Sequence, residues 1–160
     1  MIAEPNASNG FLSAQIELLW ESYTRWTNKS LISLEGSGAS DLAKSIYEAP
    51  FVVLSHGTEK DPIFNYANLA GQALFEMSWQ DFMITPSRYS AEPLIREERL
   101  RLFDRVACHG FIDDYQGVRI SRTGRRFYIE QATVWMVLDP EGNLAGQAAM
   151  FAEWDFLSPI

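Results

Sequence analysis

The chain predicts an α+β fold in which two strands are followed by helices and then by three strands, with an amphipathic helix ahead of them. Three observations carry this reading. Residues 61–79 read as strand, cap and helix in immediate succession. Beyond Tyr115 the chain holds three strand-like runs separated by two turn signals. The regular strand–helix alternation of a doubly wound parallel sheet is missing.

Phe11 to Trp26 is the first element, with Leu12, Ile16, Leu19, Tyr23 and Trp26 recurring at intervals of three and four. Trp20 stands beside this stripe, and Glu17, Glu21 and Arg25 lie off it. Residues 27–40 carry Asn, Gly and several Ser and read as a loop in which Leu31, Ile32 and Leu34 cluster. Ser40 or Asp41 then caps a short helix bearing Leu42 and Ile46, which Pro50 stops. Phe51 to Leu54 is an apolar run suited to a buried strand, and residues 56–62 form a turn.

In the second strand Ile63, Asn65 and Ala67 alternate with Phe64, Tyr66 and Asn68. Asn68 stands where an N-cap belongs, with Leu69, Ala73 and Met77 at helical spacing behind it. Ser78 with Asp81 three residues on has the pattern of a capping box. Leu94 to His109 reads as a long helix with Ile95, Leu102 and Val106 on one face, ended by Gly110. Tyr115 to Ser121 and Arg126 to Leu138 flank the turn 122–125. Residues 139–143, with Pro140 and Gly142, turn the chain into a last strand, Leu144 to Trp154.

Composition bounds the function. A chain of 160 residues, 47% hydrophobic and 13% aromatic, builds one core with an N-terminal extension. Its apolar runs are strand-sized, and no basic-then-apolar leader opens the sequence, so neither a membrane span nor a secretory signal is expected. The single cysteine, Cys108, excludes an internal disulfide and suits a reducing cytoplasm. A net charge of −8 argues against nucleic acid and anionic membrane as partners.

Four blocks resemble one family: NYANLAGQALFEMSWQDF, PSRYSAEP, REERLRLFDRV and GFIDDYQGVRISRTGRRFYIEQATVW. All look like the MEKHLA domain, a PAS-like module that occurs alone in bacteria and algae and at the C-terminus of plant class III homeodomain-leucine-zipper transcription factors. The likeness runs from about Ala39 to Trp154. It divides the chain into an N-terminal helix and linker, residues 1–38, and a PAS-like domain, residues 39–160. The sequence holds no homeodomain and no heptad zipper, so DNA binding does not carry over. The resemblance implies a five-stranded antiparallel sheet with helices over one face. It also implies a non-catalytic sensory or ligand-binding module whose small-molecule ligand is unknown. The alternatives are a dimerisation module without ligand, or a flavin sensor.

The light-oxygen-voltage subgroup of PAS domains tests the flavin alternative. In the segment Pro86-Ser87-Arg88-Tyr89, Ser87 stands where that subgroup has its photoreactive cysteine, and a hydroxyl cannot form the thiol adduct. Arg88 matches the arginine that meets the flavin phosphate, but a salt bridge to an acid such as Glu92 explains it more simply. The strand asparagines that read the flavin ring are replaced near Arg119 and Ile129. No cofactor is therefore expected, and flavin stays an open, disfavoured alternative. Haem fares worse, because His56 sits in a turn and His109 at a helix end.

No His/Cys/Asp/Glu group has metal spacing. No enzyme is expected either. Asp113 and Asp114 would point to opposite faces of a strand unless a bulge intervenes, and Cys108 and His109 to different faces of a helix. Cys108 reads as a buried small hydrophobe, with redox sensing a minor alternative. Arg119, Arg122, Arg125 and Arg126 ring one hairpin turn and read as a solvated tip.

Two further expectations follow. A pocket should lie between the sheet and the helices of residues 68–105, walled by Phe64, Tyr66, Leu74, Trp79, Phe82, Arg88, Tyr89, Tyr128 and Trp135. The wide stripe of Phe11 to Trp26 must be covered, and a homodimer through that helix is expected to cover it, the alternative being that the helix completes its own core.

Overall fold

The computed structural model describes residues 2–31, 38–91 and 96–158, except for the side chains of Arg96 and Arg99. The expectations that rest on Ile32, Leu34, Glu92, Leu94, Ile95 and the Arg99 side chain lie outside the described residues. The elements are α1 (Ser13–Thr27), α2 (Ala39–Tyr47), β1 (Val52–His56), β2 (Phe64–Ala67), α3 (Leu69–Phe75), α4 (Trp79–Phe82), α5 (Arg96–His109), β3 (Phe111–Ile120), β4 (Arg126–Leu138), β5 (Leu144–Phe151) and β6 (Glu153–Phe156). Short 3-10 helices span Ala7–Leu12 and Ser87–Ser90.

Local signals and local structure agree at several caps and differ at other element ends. α2 starts after Gly38 with no side-chain cap from Ser40 or Asp41. Phe11 and Leu12 have positive φ, so that α1 begins only at Ser13, and β3 starts at Phe111, ahead of the expected Tyr115. Asn68 Oδ1 accepts the Gly71 N–H at 3.1 Å and so caps α3, as its position predicts. The same oxygen accepts the Val53 N–H, and the amide donates to the Ile46 and Phe51 carbonyls, so this buried side chain also ties α3 to β1 and α2. Ser78 and Asp81 form the expected capping box on α4. Gly110 ends α5 at φ 83°, its N–H bonded to the Val106 carbonyl at 2.7 Å. A Cβ at Gly110 would stand 2.5 Å from the Trp26 ring, so both backbone angle and packing demand glycine there.

The sheet is antiparallel, in the order β2-β1-β5-β4-β3, with β6 paired to β4. This is the expected five-stranded path plus one short strand. The expected single strand Leu144 to Trp154 is two strands, broken at Ala152. The cause lies in β4. Gln131 has φ 50°, and Ile129 and Ala132, three residues apart, belong to the same buried cluster. Strict alternation would put them on opposite faces, so Gln131 is the extra residue of a bulge. β5 pairs with β4 on one side of that kink and β6 on the other. The register of β3 shifts too, between Ile112 and Tyr115.

The two faces of the sheet are covered differently. On the outer face α1 and α2 bury Ile16, Leu19, Tyr23, Ala43 and Ile46 against Val53, Trp135, Val137 and Ala148. Trp135 Nε1–H donates to the Leu19 carbonyl at 3.2 Å, and Trp26 Nε1–H to the Met136 carbonyl at 2.9 Å. Ser22 Oγ accepts the Leu138 N–H at 2.8 Å. The stripe of α1 therefore meets its own sheet, and Ile16, Leu19 and Tyr23 need no second chain to cover them. The N-terminal segment straps this face, since the Ile2 carbonyl accepts from Trp79 Nε1–H at 2.8 Å and Glu4 accepts from the Tyr47 hydroxyl at 3.0 Å.

Candidate functional site

α3, α4, the Ser87–Ser90 helix and α5 cross the inner face but do not fill it. They enclose a cavity of about 80 Å³ against the sheet. The floor is built from residues that alternation turns inward, namely Leu54 and His56 of β1, Phe64 of β2, Ala149 and Phe151 of β5, and Ile129, Ala132 and Val134 of β4. Tyr115 and Arg119 of β3 form one side. Phe75, Ser87, Ser90, Leu102 and Phe103 form the roof. The space exists because Ala132 and Ala149, near the middle of the floor, carry only a methyl group. It holds a few waters or one small organic molecule and falls below the ~300 Å³ at which ordinary ligand sites begin.

The polar groups of the wall are few. Arg119 is half-buried as a residue, but burial pulls its guanidinium below the usual arginine range, with Tyr115 and, less strongly, the Glu98 carboxylate opposing that shift. The guanidinium carbon lies 5.1 Å from the centre of the Tyr115 ring, and Nη1 donates to the Val118 carbonyl at 3.2 Å. His56 Nδ1 lies 2.9 Å from the Gly57 carbonyl oxygen, and its ring stands edge-on to Phe103 at 5.7 Å. Ser90 Oγ donates to the Ser87 carbonyl at 2.7 Å. Gln147 pairs with His56 and Met136 in the ladder, and Arg119 with Phe127. Phe127 and Met136 stand nine residues apart on β4, so Arg119 and Gln147 mark opposite ends of the cavity, with apolar floor between them.

The residues read as pocket wall in the sequence distribute unevenly. Phe64 lines the cavity. Leu74 and Phe82 are buried behind it in the inner cluster. Tyr66, Trp79 and Trp135 are fully buried on the outer face. Counted by strict alternation from Phe127, Trp135 would face inward; the bulge at Gln131 turns it out. Tyr128 lies between the inward Phe127 and Ile129 and so faces away from the cavity. Tyr89 is 52% exposed, in a surface groove with Ile84 and Arg122. Arg88 stacks over Tyr89 and pairs with Asp61 at 3.1 Å. An ion pair is thus found at Arg88, but with Asp61, which the turn before β2 brings alongside.

Other chemical groups lie elsewhere. Cys108 is exposed, not buried as its residue type suggests, because it sits on the solvent side of α5. Asp113 and Asp114 are both exposed despite the nearby bulge, and Asp114 pairs with Arg105 at 3.0 Å. Of the hairpin arginines, Arg122 pairs with Asp81, and Arg125 lies 3.4 Å from the centre of the Phe156 ring. Arg119 alone of that group lines the cavity. Sequence reasoning grouped it with the tip by proximity. The usable signal was register, since Arg119 is opposite Phe127 across the hairpin, and opposed residues share a face.

Comparison with known proteins fits this architecture. A family model for the MEKHLA domain matches residues 13–156. The chain belongs to the MEKHLA domain family. Among curated proteins it is 28% identical over 154 residues to the homeobox-leucine zipper protein HOX10 of Oryza sativa subsp. indica, covering 93% of this chain and 18% of that protein. It is 29% identical over 142 residues to ATHB-14, a homeobox-leucine zipper protein of Arabidopsis thaliana, covering 85% and 16%. This MEKHLA chain thus spans less than a fifth of the length of those relatives. Among solved structures it resembles the PAS domain of a Colwellia psychrerythraea protein, with a TM-score of 0.61 at 14% identity, covering 69% of this chain and 91% of that one. An RNA-binding light-oxygen-voltage receptor gives 0.59 at 14% identity, covering 77% and 36%. At such identities the likeness establishes a PAS-like fold and nothing finer.

Flavin, the alternative that the sequence left open, does not fit the residues present. The cavity is far smaller than a three-ring cofactor, Ser87 replaces the adduct thiol, and Arg88 is engaged at the surface with Asp61. Among the described residues no group of three or more His, Cys, Asp and Glu could hold a metal ion. No described helix is long and apolar enough to cross a membrane.

Proposed function

We propose that this MEKHLA chain is a non-catalytic sensory module that binds a small molecule in the cavity on the inner face of its sheet. One observation carries the reading: an apolar, alanine-floored cavity with an arginine in its wall persists in a domain whose other face buries Tyr66, Trp79 and Trp135 fully. Packing forces tend to close such spaces when nothing selects for them, and a leucine at Ala132 or Ala149 would occupy much of this one. The surface positions of Cys108, Asp113 and Asp114, away from the cavity, support a binding role over a catalytic one. A cytoplasmic setting is part of the proposal and rests on the lone cysteine.

Pairing of two copies through α1 is a second part of the proposal. It would use Leu12, Leu18 and Trp20, which remain only partly buried after α1 has covered the sheet. Light scattering at high micromolar concentration decides it, and a monomer there removes it.

The ligand reading is tested by ligand-observed NMR with a library of small fragments, run against the natural chain and Ala149→Leu. Binding to the natural chain that the leucine abolishes is the expected result. If no fragment binds in a leucine-sensitive manner, the cavity is inert, and a protein–protein module is the better description.

A further inference from the structure

We infer that the molecule accepted by this cavity is a short monocarboxylate, its apolar body over the alanine floor and its carboxylate against Arg119. The inference rests on the ligand reading above and narrows it to one chemical class.

The argument starts from the cost of placing a guanidinium where Arg119 lies. A charge drawn out of water is retained in folded proteins when it is paired or densely hydrogen-bonded. Among the described residues no carboxylate lies within 4.0 Å of Arg119, whereas Arg88, Arg105 and Arg122 each have one. What Arg119 has instead is the side chain of Tyr115, its ring at 5.1 Å, one carbonyl at 3.2 Å and, beyond salt-bridge distance, the charge of the exposed Glu98. A guanidinium carries five N–H donors. One carbonyl, one tyrosine and a distant carboxylate leave most of them without a close acceptor, and Arg119 lines the cavity.

The missing partner must be an acceptor that is planar, anionic and small. A carboxylate accepts two parallel N–H bonds from the guanidinium fork, and such bidentate pairs are the strong form of the interaction. Phosphate esters and dicarboxylates carry more charge than one arginine balances. A phosphate's extra charge would stay unbalanced at the arginine. The second carboxylate of a short dicarboxylate would lie over Leu54, Phe64, Ala132 and Val134, which offer it no donor, short of Gln147 at the far end. A cation is disfavoured by Arg119 itself. A neutral apolar molecule would leave the guanidinium as it was. The volume of about 80 Å³ limits the body to a short aliphatic chain or one ring.

The test compares matched acids and amides by calorimetry or chemical-shift titration: propionate, butyrate and benzoate against propionamide, butyramide and benzamide. The natural chain is expected to bind at least one acid roughly tenfold or more tightly than its amide. Arg119→Gln should remove that preference, so that acid and amide bind alike, and Arg119→Lys, which keeps the charge but not the fork, should retain part of it. Circular dichroism checks each variant for folding, and the acid–amide comparison on the natural chain needs no variant at all. Acids and amides binding equally, or a preference that survives Arg119→Gln, overturns the carboxylate assignment and leaves the cavity reading intact. If neither acids, amides nor fragments bind in a manner sensitive to Ala149→Leu, both fall together.

Discussion

The two faces of one sheet have been put to different uses. The outer face carries Trp135, Tyr66 and Val53 under α1 and α2, with Tyr23 edge-on to Trp135 at 5.0 Å and Tyr66 edge-on to Trp79 at 5.8 Å. The inner face has rings as well, Phe64, Phe75, Phe127 and Phe151 among them, but Ala132 and Ala149 near the middle of its floor leave a space. Large rings that interlock contribute dispersion and burial, and they tolerate no guest. Small residues give up that contribution, and the resulting room is worth keeping only if something occupies it. Stability should therefore concentrate on the outer face and ligand response on the inner one.

The largest effects should come from breaking the outer face. Trp135→Ala removes a fully buried ring and its bond to the Leu19 carbonyl, and should cost about 3–5 kcal/mol in denaturant unfolding. Leu19→Glu should be at least as damaging, because Leu19 is 1% exposed and a carboxylate there has no partner. If Leu19→Glu instead leaves a folded monomer of unchanged stability, α1 does not belong to this core.

Ala149→Leu sharpens the contrast from the other side. It should change stability by no more than about 1.5 kcal/mol, since the added carbons enter existing space, yet abolish small-molecule binding. A loss of stability as large as that of Trp135→Ala would mean the inner face is as tightly filled as the outer.

Two tyrosines on the outer face should respond oppositely. The Tyr47 hydroxyl donates to Glu4 and accepts from Gln72, and Tyr47→Phe should cost about 1 kcal/mol. The Tyr66 hydroxyl is buried with no hydrogen-bond partner, and Tyr66→Phe should be neutral or stabilise by up to about 1 kcal/mol. Burial first, then Glu4, pushes the Tyr47 phenol up to about 12, with Gln72 opposing. The folded chain thus holds a proton that the unfolded chain releases near 10, so this contribution is complete below pH 10 and is lost between about 10 and 12. Stability of Tyr47→Phe measured across that window should fall less steeply than that of the natural chain.

The smallest effect belongs to neither face. Arg105→Ala breaks an exposed pair with Asp114 and should shift stability by less than about 0.5 kcal/mol, diminishing further in high salt. A larger loss would show that α5 depends on this pair to stay over the cavity.

Much of the fold was legible residue by residue. The caps at Asn68 and Ser78, the stop at Gly110 and the turns at 122–125 and 139–143 depend on the chemistry of a few neighbouring residues, which a linear sequence displays in full. The stripe of α1 was legible as a stripe, but not what would cover it, because amphipathicity records that a face is buried and not against which surface. The wall of the cavity was the least legible part. Aromatic residues were the natural choice for it, yet most of them belong to solid core, and the space is created by Ala132 and Ala149, which carry no signal of their own. A single extra residue at Gln131 also turned Trp135 to the other face. Because strand side chains alternate with period two, an insertion of one reverses every later assignment, and only the pairing of β4 with β3 and β5 reveals it. The same dependence hid Arg119 among the arginines of the hairpin. Sequence alone thus determined most of the elements, the ends that a cap or stop residue marks, and the family, which are local or cumulative properties. Tertiary structure decided which face each side chain serves and where one arginine meets empty space, because those depend on register between strands distant in the chain.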